Sequence, residues 1–100
     1  MTAAEPDRAF DADAAWRVHP RVAVRPEPFG ALLYHFDTRR LTFLKDPRLL
    51  GVVRSLGAAV DARGACAAAG VGPPEQPHYL AALARLAEGS MIVPDPGRTP

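Results

Sequence analysis

The hydrophobic pattern in the first half of the chain alternates with a period of two, which is typical of β-strands. Residues 21–25 read RVAVR, with two valines on one face, and Pro26 and Pro28 follow them. Residues 31–36 (ALLYHF) and 40–45 (RLTFLK) repeat the alternation after short turns. Connections this short require neighbouring strands to run antiparallel. The pattern therefore predicts a three-stranded antiparallel meander.

The apolar period lengthens after residue 45, which indicates a change from strands to helices. Asp46 is a preferred N-cap, and Pro47 suits the first helical position because its missing N–H is not needed there. We expect a first helix of about three turns from Asp46 to Gly57. Residues 60–69 are rich in alanine and end before a glycine, so they predict a short second helix.

A third helix is predicted after a Gly-Pro-Pro break, starting between Pro74 and Pro77 and ending near Glu88. Its apolar residues span an arc of roughly 200°, which is wider than the usual stripe of an amphipathic helix. A single core would not cover the whole of so wide an apolar arc. Residues 91–93 (MIV) suit a short extended segment.

Three strands followed by three helices, with the second and third helices as a helix-turn-helix, outline a small winged-helix domain of the α+β class. The chain has 100 residues, which is one domain's worth. We place this domain at residues 16–94. Residues 1–15 carry four acidic residues against one arginine and are expected to form a disordered acidic tail. Residues 95–100 are expected to form a second disordered tail.

The net charge of +1 conceals a basic segment in the first half of the domain. Residues 16–54 contain eight Arg or Lys residues against three Asp or Glu residues. Such a balance favours an anionic partner, although the same charges also occur on ordinary solvated surfaces. Nothing in the sequence resembles a membrane span or a secretion signal, so we expect a cytoplasmic protein without a membrane partner.

The residues that could carry chemistry do not form a catalytic or metal-binding motif. The single cysteine, Cys66, has no base near it in sequence, and the three histidines have no zinc-site spacing. The glycines are too scattered for a nucleotide-binding fingerprint. We therefore predict no enzyme activity, no metal and no cofactor.

Two functions are compatible with this outline, and the position of the charges distinguishes them. A DNA-binding regulator would use the third helix as its recognition helix, but that helix offers Arg85 as its one cation, beside acidic residues. The alternative is capture of a peptide as an added strand at the edge of the meander. The third strand would supply that edge, with basic residues at both of its ends, and the broad apolar arc of the third helix would form the second wall. We favour an acidic peptide over nucleic acid as the partner.

The peptide-binding residues predicted on these grounds come from the third strand and the third helix. They are Arg39, Arg40, Leu41, Thr42, Phe43, Leu44, Lys45, Tyr79, Ala82, Leu83, Arg85 and Leu86.

The segments WRVHP (16–20), VAVRPEPFGALLYHF (22–36) and RLTFLK (40–45) resemble the peptide chaperones of mycofactocin biosynthesis. Two later segments, RGACAAAGV (63–71) and LAEGSMIVP (86–94), are similar to the same family. The resemblance implies a non-catalytic protein that binds a ribosomally made precursor peptide and presents it to a radical S-adenosylmethionine maturase. It also implies that decarboxylation of the peptide's C-terminal tyrosine, and its crosslinking to the neighbouring valine, belong to that enzyme.

Overall fold

The computed structural model describes residues 10–95 and shows an α+β domain. Within that part of the chain the strands are β1 (Trp16–Val18), β2 (Val22–Glu27), β3 (Gly30–His35), β4 (Leu41–Leu44) and β5 (Ile92–Pro94). The helices are α1 (Pro47–Ser55), α2 (Ala62–Ala68) and α3 (Gln76–Glu88). The predicted α+β class and the three predicted helices are confirmed.

The main sheet is an antiparallel meander in the order β2-β3-β4, as predicted. Leu33 in the central strand lies opposite Val24 on one side and Thr42 on the other. Gly30 begins β3 with a φ of +150°, and a Cβ atom there would collide with the carbonyl oxygen of Leu44. Only glycine allows the backbone of β4 to approach the turn this closely.

Aspartate N-caps define where α1 and α2 begin. The Oδ1 atom of Asp46 accepts a hydrogen bond from the Arg48 N–H (2.9 Å). The Oδ1 atom of Asp61 accepts from the Gly64 N–H (2.7 Å). Each bond satisfies a backbone donor that a helix start leaves unpaired. The Asp46 cap lets α1 begin with only two residues separating it from the end of β4.

The predicted order of three strands followed by three helices is wrong. All three helices lie between β4 and β5, and β5 pairs antiparallel with β1 in a second, two-stranded sheet. Trp16 lies opposite Pro94, and Val18 lies opposite Ile92. A three-residue strand is too short to show alternation, and its partner is more than 70 residues away along the chain, so local patterning did not predict β1.

Residues 10–15, which precede the predicted start of the domain at residue 16, contact the described part of that domain. The Phe10 and Trp16 rings lie 5.0 Å apart, and the Trp16 indole N–H donates to the Asp11 carbonyl oxygen (2.8 Å). Arg63 at the start of α2 forms an ion pair with Asp13 (2.8 Å). The rest of the two predicted tails, residues 1–9 and 96–100, lies outside the described residues.

The core lies between the inner face of the main sheet and the three helices. Its side chains come from both layers and from the segment after α3; among the most buried are Leu33, Leu44, Val52, Leu83 and Met91. Within residues 10–95, no helix combines the length and hydrophobicity needed to span a membrane.

Candidate functional site

The edge of β4 presents unpaired backbone groups. The N–H of His35 donates to the carbonyl oxygen of Arg40 (2.9 Å), which makes these opposed residues a hydrogen-bonded pair. Bonded and non-bonded pairs alternate along an antiparallel ladder, so Thr42 and Leu44 also bond to β3. The N–H and C=O groups of Leu41 and Phe43 therefore point away from the sheet, where an added strand would pair with them.

The opposite edge, formed by β2, is blunted. The Phe36 N–H donates to the Arg21 carbonyl oxygen (2.9 Å), which makes these two residues a hydrogen-bonded pair. Because bonded and non-bonded pairs alternate, the backbone groups of residues 22, 24 and 26 point outward, away from β3. The outward N–H of Val22 already donates to the His19 carbonyl oxygen (2.9 Å). Position 26 is proline and has no N–H. Only Val24 offers an outward donor within β2.

A groove of about 360 Å³ runs beside the open edge, between β4 and α3. Ala82 and Leu86 of α3 form one wall, and Thr42, Phe43 and Leu44 of β4 form the other. Its remaining lining residues are Arg40, Leu49, Arg85, Glu88, Gly89 and Met91. The groove therefore lies where a strand added to β4 would place its inward-facing side chains.

Charged side chains at the groove are mainly cationic. Arg40 lines the groove on the side of β4, and Arg85 lines it on the side of α3. Glu88 lies one turn further along α3. Neither arginine forms an ion pair with any other residue between positions 10 and 95. An anionic ligand would thus find two uncompensated cations, one on each wall.

Two contacts join the start of α1 to the start of α3, outside the groove. The Tyr79 hydroxyl donates to the Oδ2 atom of Asp46 (2.5 Å). This bond lowers the pKa of Asp46 and raises the pKa of Tyr79, because it stabilises the ionised carboxylate and the neutral phenol. Arg48 and Glu75 form an exposed ion pair (2.8 Å) beside it.

The structure brings together seven of the twelve predicted peptide-binding residues. Those lining the groove are Arg40, Thr42, Phe43, Leu44, Ala82, Arg85 and Leu86. The even-numbered residues of the strand segment face the helices, and the odd-numbered ones face the opposite side of the sheet, because side chains alternate along a strand. Phe43 is one of the odd-numbered residues, but it borders the groove as well.

The other five predicted residues lie outside the groove. Leu41 and Lys45 face the other side of the sheet, and Arg39 occupies the preceding turn with a left-handed backbone (φ 63°). Tyr79 bonds to Asp46 instead, and Leu83 is fully buried in the core. Tyr79 and Leu83 share the apolar arc of α3 with Leu86, but their part of that arc faces the core.

Four lining residues were not predicted from the sequence. Leu49 lies in the first turn of α1, and Glu88, Gly89 and Met91 lie at the end of α3 and just after it. Glu88 follows Arg85 by three residues and so shares its side of the helix, a spacing that the sequence does display. Leu49 and Met91 reach the groove only because the helices pack back against β4.

Cys66 and His35, which could react chemically, instead have structural roles. Cys66 is buried, and its burial raises the pKa of the thiol, which disfavours the nucleophilic thiolate. The Nδ1 atom of buried His35 accepts from the Asp37 N–H (3.2 Å) and so supports the turn into β4. Among residues 10–95 there is no group of three or more His, Cys, Asp or Glu side chains that could hold a metal ion.

Comparison with known proteins identifies one family. The sequence profile of the Peptide chaperone MftB family matches residues 15–93. The chain is 60% identical to the Peptide chaperone MftB of Mycobacterium ulcerans, over 86% of this chain and 79% of that protein. It is 58% identical to that of Mycobacterium tuberculosis, over 85% and 78%, and 56% identical to that of Mycolicibacterium smegmatis, over 85% and 83%. No solved structure matches the chain.

Proposed function

This chain belongs to the Peptide chaperone MftB family, and on that premise we propose that it binds the mycofactocin precursor peptide as a strand added to β4. Proteins of this family are non-catalytic chaperones, so the ligand is bound and not transformed by this chain. The groove beside β4 and the unpaired edge of that strand supply the two parts that strand addition requires.

The observation that carries the proposal is the combination of an open edge and a groove at the same strand. Leu41 and Phe43 point their backbone groups outward, and α3 forms a wall beside them. Main-chain hydrogen bonds to an added strand supply affinity, and pockets for alternate side chains supply specificity. The four residues of β4 allow pairing over roughly 14 Å of peptide.

Charge supports an acidic segment as the ligand. Every second side chain of the bound strand would enter the groove between Arg40 and Arg85. Carboxylates there would pair with one arginine on each wall and would increase the association rate at low salt. Glu88 at the end of the groove favours a neutral or basic peptide side chain at that position.

The second step of the proposal is presentation of the bound peptide to a radical S-adenosylmethionine maturase. The chaperone contributes position and no reacting group, since Cys66 is buried and the buried His35 supports a turn. Holding the peptide on a protein that also binds the enzyme raises the local peptide concentration at the enzyme. The crosslinking chemistry then belongs entirely to the enzyme.

Recognition of DNA by α3 is less well supported. The one cation of α3, Arg85, lines the groove next to β4, and Tyr79, Leu83 and Leu86 are buried against the rest of the domain. A recognition helix needs a cationic, exposed side to enter the major groove.

Calorimetric titration with three ligands tests the proposal. We expect the precursor peptide to bind at a 1:1 ratio, a scrambled peptide of the same composition to bind far more weakly, and random duplex DNA to bind only weakly at low salt. Tight DNA binding without peptide binding would overturn the proposal. Equal affinity for the native and scrambled peptides would show that charge alone attracts the ligand.

A further inference from the structure

The side of the main sheet that faces away from the helices is apolar. We call this surface the outer sheet face; it consists of Phe29, Leu32, Tyr34, Phe36, Leu41 and Phe43. An antiparallel sheet with one face in water normally alternates apolar residues inward with polar residues outward. Here the central and edge strands carry apolar side chains on both faces.

The outer sheet face is large enough to act as a binding surface. Phe29, Phe36, Leu41 and Phe43 are each between 44% and 58% exposed. With aromatic side chains of roughly 150–250 Å² each, the three phenylalanines expose on the order of 300 Å², and Leu41 adds to this area. The largest apolar patch on a typical monomer covers about 300–600 Å² and is often functional, so the outer sheet face is a candidate interaction site.

Aromatic contacts organise the two ends of this surface. The Phe29 and Phe43 rings lie 6.2 Å apart and, with Lys45, line an open notch of about 370 Å³. At the other end, the Tyr34 and Phe36 rings meet edge to face at 5.2 Å. The notch has the size and the apolar lining to receive a side chain from a partner, so it is a candidate anchor point.

One uncompensated cation borders the outer sheet face. Lys45 lines the notch and has no ion-pair partner within residues 10–95. The Arg21 guanidinium lies 5.9 Å from the Phe36 centroid, but it is already paired with Asp37 (3.0 Å). Two copies that met through this face would each bring an unpaired Lys45 ammonium to the contact. A partner with an apolar centre and carboxylates at its margin would complement the rings and Lys45.

We propose that the outer sheet face is the docking surface for the maturase, which would meet it with an apolar patch bordered by carboxylates. This inference rests on the proposed function, because it assigns a surface to the enzyme that receives the peptide. It places the enzyme and the peptide groove on opposite sides of β4. Both partners can then be bound at once, with Phe43 reaching both surfaces.

The test compares a double variant, Phe29→Ser with Phe36→Ser, against a matched control, Val60→Ser. Neither phenylalanine lines the groove, and Val60 is an exposed apolar residue between α1 and α2, away from the sheet. Binding of the purified maturase and of the precursor peptide is measured separately by biolayer interferometry, with folding checked by circular dichroism.

We expect the double variant to lose at least ten-fold in affinity for the maturase and to keep its peptide affinity within about two-fold. The Val60→Ser variant should match the unsubstituted protein in both measurements. Unchanged maturase affinity in a folded double variant would overturn the docking surface while leaving peptide capture intact. Loss of an oligomer in light scattering, with maturase affinity unchanged, would instead assign the face to contacts between copies. Failure of the unsubstituted protein to bind the peptide would contradict the proposed function itself.

Discussion

The two edges of the same three-stranded sheet are built differently. The β2 edge has one outward donor already bonded, at Val22, and a proline at position 26, whereas the β4 edge leaves the amides of Leu41 and Phe43 free to pair. Proteins commonly blunt exposed edges with proline because an open strand pairs with other chains. A sheet that protects one edge and leaves the other open, beside a groove, is suited to pair with one ligand on one side.

The difference also shows where specificity would come from. A second protein could pair with any open edge through its backbone alone. At β4, α3 would restrict such pairing, because a strand added there would place its alternate side chains between Arg40 and Arg85. At β2 the neighbouring charges, Arg25 and Glu27, already neutralise one another at 2.7 Å.

The largest effect should come from removing one outward donor at the open edge. Leu41→Pro deletes an N–H that would bond to the peptide but that β3 does not use. We expect peptide affinity to fall about 30-fold, since leaving one buried peptide carbonyl unpaired costs about 2 kcal/mol. Isothermal titration calorimetry measures this loss, and circular dichroism should show an intact fold.

Two matched variants complete this comparison. Val24→Pro deletes an outward donor at the other edge and should leave peptide affinity within about two-fold. Leu41→Ala keeps the donor and should lose much less affinity than Leu41→Pro. Equal losses in Leu41→Pro and Val24→Pro would mean that the two edges do not differ in function.

A smaller effect is expected from filling the groove beside the open edge. Ala82 is only 7% exposed, and Ala82→Leu adds three carbons at the wall of the groove. We expect about a ten-fold loss of peptide affinity, equivalent to about 1.4 kcal/mol, because the larger side chain occupies space that the peptide would fill. Overpacking would also lower the stability of the fold. Ala81→Leu, at an exposed position of the same helix that does not line the groove, is the control. A tight-binding Ala82→Leu variant with a normal melting temperature would show that the peptide does not use this wall.

Much of this fold could be predicted from the sequence, because the responsible signals are local. Asp46-Pro47 and Asp61 predict helix starts, and the alternation around Phe43 predicts an edge strand. The pairing of β1 with β5 could not be predicted, since three-residue strands have no measurable period and the contact is long-range. The groove was predicted in outline, but which part of the arc of α3 borders it depends on packing: Leu86 is buried and also lines the groove, whereas Leu83 lies wholly in the core.

Charge should act on the rate of association more than on the final contact. Reversing Arg40 and Arg85 together, to glutamate, should lower the on-rate for the peptide several-fold at low ionic strength, and the difference should shrink at high salt. Stopped-flow fluorescence with a labelled peptide measures the on-rate at low and at high ionic strength. Reversing Arg17 and Arg54 together to glutamate makes the same change in net charge at two exposed positions outside the groove, and it is the control. An on-rate that responds equally to both changes would assign the effect to total charge.

The smallest effect concerns the hydrogen bond between Tyr79 and Asp46, which joins α3 to the start of α1. Tyr79→Phe removes the hydrogen bond to Asp46 and should lower the free energy of unfolding by about 1–2 kcal/mol at neutral pH. The pKa of Asp46 is lowered in the folded state, so this contribution is present above its ordinary value of 3.8 and is lost as pH falls. The pKa of Tyr79 is raised, so the contribution is present below 10.0 and is lost as pH rises through the raised value.

Urea denaturation of both proteins across pH tests this prediction. The difference between the unsubstituted protein and Tyr79→Phe should be largest near neutral pH and should disappear at both extremes. A difference that is constant with pH would mean that lost packing, and not the hydrogen bond, accounts for the change.

The most direct test of strand addition at β4 is amide hydrogen exchange, followed residue by residue by NMR with and without saturating precursor peptide. We predict that the amides of Leu41 and Phe43 exchange at least ten-fold more slowly in the complex, because they donate to the added strand, while the amide of Val24 at the other edge is unchanged. Slower exchange at Val24, or unchanged exchange at Leu41 and Phe43 when the peptide is fully bound, would contradict the account.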